Sequence, residues 1–204
     1  MTVRRGATWG SAAPLPPGAP VVRTDAELRT LVERARRAGE PPPTVGLLGG
    51  DLCRTVGGTG STERLRSDAA TTLPVDVVRV VLDDEREHWF VAHLVARARG
   101  WWGWSCVAMN AQWLGDWDLG PRSHPGDGLV DITSGALPLG DRWEARRRMP
   151  SGTHLPHPAL QTERCSATTL EFPVSRTVHL DRVAVGRARV AVLEVEADAV
   201  LVVV

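Results

Sequence analysis

A chain of 204 residues can bury one sizeable core or two small ones. Its 43% hydrophobic and 24% charged residues exclude general disorder, and a formal net charge of zero removes the basic surplus on which nucleic-acid binding draws. No apolar run reaches the roughly 18 residues of a membrane span, and the opening residues lack the apolar stretch of a signal peptide. Cys53, Cys106 and Cys165 lack the spacing of a zinc site or a disulfide framework, so a reduced, cytoplasmic setting is expected.

Residues 1–22 are rich in Pro, Gly and Ala without periodicity and read as a flexible tail. The stretch TDAELRTLVERARRAG then predicts a helix. Thr24 and Glu27 form a capping box, Leu28, Leu31, Val32 and Ala35 recur at helical spacing, and Gly39 with Pro41 to Pro43 ends the run. In TVGLLGGDLCRTVGG a short strand from Thr44 to Leu48 breaks at Gly49-Gly50 and enters a helical turn through Asp51, a geometry that turns backbone N–H groups toward an anion. From Leu73 onward, short β-branched runs bounded by turn residues predict a mostly antiparallel β domain, interrupted by one helix near Leu139 to Met149.

The order of these segments resembles the diacylglycerol kinase catalytic family, which includes bacterial lipid kinases and sphingosine kinases, over roughly Leu28 to Val204. LLGGDLCRTVGG is similar to the family's P-L-G-T-G-N-D-(F/L)-A-R segment, with Gly49, Asp51 and Arg54 on matching positions. LPVDVVRVVLDDEREHWFVAH resembles the entry strands of its β-sandwich. VAMNAQWLGDWDLGPRSHPGDGLVDI resembles its N-(G/A)-x-x-x-G-G … D-D-G-x-L-D-V segment, through Asn110, Gly115, Pro121, Asp127, Gly128 and Asp131. GTHLPHPAL followed by VHLDRVAVG resembles its G-x-H element and D-G-E turn, with Asp181 on the Asp.

The resemblance implies an α+β fold: a truncated nucleotide-binding-like α/β segment over 23–72 followed by a mostly antiparallel β-sandwich over 73–204. It implies phosphate or nucleotide contacts from Gly49, Gly50, Asp51 and Arg54, a general base at Asp181 and a metal contact at Asp127. A substrate cleft near Asn110, His124 and Gly128, with Mg2+ and ATP as cofactors and a lipid as ligand, is also implied.

The departures are as informative. No G-G-D-G-T turn precedes Glu40, Leu47, Leu48 and Gly50 replace the Gly, Thr and Asn of the phosphate segment, and Arg182 and Val183 replace the Gly and Glu of the D-G-E turn. Phosphoryl transfer depends on positioning and on stabilising the moving phosphoryl group, so a pseudokinase that keeps lipid or phosphate binding, or a regulatory role, is expected. The alternative is an active lipid kinase completed by a homodimer or a partner chain.

Several residues keep two readings. Asp51 caps its helix or contacts an anion; Arg54 binds phosphate or covers a helix face; Asp127-Gly128 and Asp181 are turn residues on local grounds alone. His154 and His157 have a chelating spacing but no third ligand. Trp101, Trp102 and Trp104, with Trp89 and Trp113 nearby, pack a core or line an acyl-chain cleft or a partner surface.

Overall fold

A computed structural model describes residues 9–83, 85–98 and 101–204. The capping box places helix α1 (Asp25–Ala38) as expected: the Thr24 hydroxyl accepts from the Glu27 N–H, and Gly39 closes the helix in the left-handed region at φ 69°. Leu28, Val32 and Ala35 form its buried stripe. Strand β3 (Val45–Leu47) leads through Gly50 into α2 (Asp51–Thr55), and α3 (Thr62–Leu65) follows.

The remaining elements, in chain order, are β4 (Thr71–Leu82), β5 (Arg86–Phe90), β6 (His93–Arg97), β7 (Ser105–Met109), β8 (Trp113–Leu114), β9 (Trp117–Asp118) and β10 (Val130–Gly135). Then come α4 (Leu139–Arg148), a 3-10 turn (Met149–Ser151), β11 (Leu160–Cys165), β12 (Ala167–Leu180) and β13 (Val183–Val203). All strands but the small β8–β9 pair join one sheet, whose main path after β4 runs β13, β12, β6, β7, β10, β11 with antiparallel neighbours. The α+β expectation holds.

Residues 1–8 of the expected tail lie outside the described residues. The rest of that segment is docked. Strand β1 (Ser11–Ala12) pairs with β4, strand β2 (Val21–Val22) runs parallel to β3, and the Leu15 side chain is buried between them and α3. Lack of periodicity did not mean lack of order here, because strands of two residues are too short to show a period.

The long strands bury opposite faces at their two ends. Leu73, Val75 and Val77 of β4 pack with Val200 and Val202 of β13 against α1 and α2. Val78, Val80 and Leu82 join Ala191 and Leu193 in a second core, around which the sheet curls from β4 to β10. A strand's side chains alternate between faces, so the odd-numbered and even-numbered residues of β4 supply the two cores without a break in that strand. The register of β13 against β4 shifts between Glu196 and Val200, where Asp198 takes φ 53° and its N–H donates to the fully buried Asp76 carboxylate (2.8 Å).

Candidate functional site

Where the α1–α2 layer meets the curled sheet, charged groups collect out of solvent. Gly50 precedes α2 at φ 99°, a conformation that favours glycine, and a Cβ there would fall 2.4 Å from Asp25 Oδ1. The close approach lets the Asp25 carboxylate accept from the first N–H groups of α2, Asp51 (2.7 Å) and Leu52 (3.0 Å). The anion that faces this strand–glycine–helix turn is therefore a side chain of the protein itself. Gly49 is held equally closely, against the Arg23 carbonyl.

Asp51 does not cap α2. Its carboxylate lies 3.0 Å from His93 Nε2, accepts from the Gly115 N–H (2.9 Å) and pairs with the Arg182 guanidinium (3.0 Å). Burial works to raise its carboxyl, but the His93 hydrogen bond and the Arg182 charge outweigh burial and hold it below the ordinary carboxylate range. Arg182 occupies the second position of a two-residue hairpin turn between β12 and β13. Its φ of 70° lies in the region that glycine favours.

Asp181, the first residue of that turn, is 2% exposed. Its carboxylate accepts from three successive backbone N–H groups, Val91 (3.1 Å), Ala92 (2.9 Å) and His93 (3.1 Å), at the break between β5 and β6. Burial pushes its carboxyl up, against His93 and those three hydrogen bonds. Both oxygens are spent on tying the β12–β13 turn to the β5–β6 connection, and neither faces solvent. Arg29 of α1 completes the joint by donating to the Leu180 carbonyl (3.0 Å).

Asp25 faces Asp181 and Asp51 across this interface. Burial, with the Asp181 charge second, raises its carboxyl to about 6 from 3.8. The folded chain then holds a proton that the unfolded chain has released. The stability this gives is complete below about pH 4 and is lost as the pH climbs to about 6. In denaturant titrations across that range, Asp25→Asn is expected to lose less stability than the parent, by up to about 3 kcal/mol. Equal losses would show that Asp25 does not titrate there.

The other expected site residues are placed elsewhere. Arg54 lies 3.4 Å over the Trp113 ring and donates to the Gly115 carbonyl (2.9 Å), bracing the β8–β9 hairpin rather than the α2 N-terminus. Asp127 accepts from the Leu129 N–H (3.0 Å) and pairs with Arg164, an Asx turn and an ion pair. Asn110 is fully buried and donates to the Asp76 and Val91 carbonyls, His124 packs at a tilt against the Trp9 ring, and the Gly128 N–H donates to Asp76. Those three position the loop before β10, away from the two hollows described next.

The tryptophans divide between both readings. Trp89 and Trp104 pack in the cores, Trp89 also donating to Glu196 (2.8 Å). Trp101 and Trp102, together with Trp117 and Trp143, line a cavity of about 390 Å³ bounded by α4, β7 and β10. Val107 and Thr133, cross-strand partners on β7 and β10, are among its lining residues. A second hollow of about 420 Å³ shares Trp101, Trp117 and Arg146 with it and carries Arg97, His179 and Arg182. An apolar chamber thus adjoins a more polar hollow that carries three arginines and Asp116. Sequence reasoning missed Asp25, His93, Arg182 and Arg146. The one available signal was Arg182 standing where the resembling turn has Gly.

No family model matches the sequence, and no curated protein matches it by sequence. Solved structures do match in shape. A protein described as a diacylglycerol kinase from Bacillus anthracis str. Sterne superposes with a TM-score of 0.59 at 12% identity, over 79% of this chain and 69% of that chain. A second structure so described gives 0.58 at 12% over the same shares. A third, from the same organism, gives 0.53 at 13%, over 79% of this chain and 66% of that one. On its architecture, the chain has a diacylglycerol kinase-like fold.

Proposed function

We propose that this protein binds a single-chain amphiphile with an anionic head and does not transfer phosphate. The observation that carries the reading is the tryptophan-lined cavity beside a second hollow that bears arginines. A volume of about 390 Å³ is within the usual range for small-molecule sites, about 300–1,000 Å³. An acyl tail suits the chamber, and an anionic head suits Arg146, which lines both hollows, with Arg97 in the second.

The loss of phosphotransfer rests on the charged cluster. Magnesium-nucleotide binding needs free backbone N–H groups and oxygen ligands with room for water. Here the α2 N–H groups are satisfied by Asp25, and Arg182 holds Asp51. Asp25, Asp51 and His93 bring ligand atoms within 4.8 Å of one another, the one such cluster among the described residues. All three side chains are buried and the nearest cation is already a guanidinium, so the donor set does not fit a hydrated magnesium ion. Asp181, with both oxygens on backbone donors, serves the turn rather than a substrate proton.

The test is calorimetric titration with Mg–ATP beside a radiolabel phosphorylation assay on mixed lipids. Neither heat of binding nor labelled lipid is expected. Turnover by the purified chain would overturn the reading, and turnover on adding a partner chain would establish the completed-kinase alternative.

A further inference from the structure

The most exposed large apolar side chains among the described residues are Leu139 and Trp143, each 69% exposed, and Trp102, 64% exposed. All three stand on the rim of the same cavity, Leu139 and Trp143 one turn apart on α4 and Trp102 in the connection before β7. Two indoles and a leucine held in water on one rim mark a surface that gains by being covered.

The charges around them are one-sided. Helix α4 has four arginines against two carboxylates, Asp141 and Glu144. Both carboxylates are engaged: Asp141 Oδ2 lies 3.3 Å from His157 Nε2, and Glu144 accepts from Arg148 Nε (2.8 Å). Arg142, Arg146 and Arg147 have no carboxylate partner among the described residues. Arg142 lies 5.1 Å over the Trp102 ring and Arg146 5.5 Å over Trp117, while Arg147 is one turn beyond Trp143 and outside the cavity.

We propose that α4 and Trp102 form a docking surface for the face of an anionic lipid bilayer. Exposed indoles and a leucine beside arginines without carboxylate partners suit an anionic bilayer surface, which takes apolar tips at its interfacial layer and guanidinium groups at its phosphates, so the rim rather than the whole of α4 makes the contact. Because the whole chain is formally neutral, the attraction is local and orients the protein with its cavity mouth toward the lipid. The inference concerns the rim and not the contents of the cavity, so it stands or falls separately from the proposed function.

Co-sedimentation of the full chain with phosphatidylcholine vesicles, with and without phosphatidylserine, tests it at low and physiological ionic strength. Partition is expected to be about tenfold stronger on the anionic vesicles and to weaken with salt. Leu139→Ser/Trp143→Ser and, separately, Arg147→Glu are each expected to lower it about tenfold with unchanged melting temperature, these side chains being exposed. Thr133→Trp, which fills the cavity, should leave vesicle binding intact. Equal partition on neutral and anionic vesicles, indifference to either rim variant, or loss of vesicle binding in Thr133→Trp would each overturn the proposal. Self-association without vesicle binding, abolished by the serine pair, would assign the rim to a second copy of the chain.

Discussion

Asp181→Ala is expected to lower the stability of the fold by about 3–5 kcal/mol in urea unfolding, among the largest effects of any single substitution in this chain. The substitution leaves the N–H groups of Val91, Ala92 and His93 without their acceptor in a place water does not reach. Each such orphaned donor costs about 1–3 kcal/mol, less when the turn can relax toward solvent. Asp181→Asn is expected to be intermediate. Its amide oxygen can keep the two bonds to Ala92 and His93, but its NH2 would meet the Val91 N–H donor against donor. A loss under about 1 kcal/mol for the alanine variant would show that the carboxylate is not needed by the turn, and would return Asp181 to consideration as a base.

Thr133→Trp is expected to weaken binding of a single-chain amphiphile by about 100-fold while leaving the fold intact. Thr133 lines the chamber opposite Val107, on the face of β10 away from Val130 and Ile132, which belong to the second core. An indole projecting from it fills space that a ligand tail would use. Displacing about four methylenes at about 0.8 kcal/mol each removes about 3 kcal/mol of binding, or roughly two decades in Kd. Wild-type affinity in a variant that melts normally would place the ligand elsewhere.

Much of the architecture was legible because it is local. Helix α1 announced itself by its cap and period, the Leu139–Met149 prediction anticipates α4 and the 3-10 turn to within a few residues, and the Asp181 hairpin follows from its place between two β-branched runs. The site was less legible because its members meet only in space. Asp25 is an ordinary first-turn acid of α1 until the fold brings Gly50 against it. His93 lies within the apolar run HWFVAHLVARA, and nothing in its neighbourhood along the chain announces Asp51, 42 residues away. Arg54, Asn110, His124 and Gly128 occupy suggestive positions in resembling segments, yet the contacts they make are those of bracing and loop placement. The tryptophans could not be divided from sequence either, since core and cavity walls demand the same apolar bulk. What separates Trp104 from Trp102 is that one meets Phe172 and the other an open chamber.

The claim that an acyl tail occupies the tryptophan chamber is tested most directly by titrating the protein with n-alkyl phosphates of increasing chain length. Each is kept below its micelle concentration, with Thr133→Trp as the control. Affinity is expected to rise about fourfold with each added methylene, at about 0.8 kcal/mol per CH2, and then to level off when the chamber is full. The control should lose that dependence. Binding that ignores chain length, or a chain-length series unchanged in Thr133→Trp, would contradict the account.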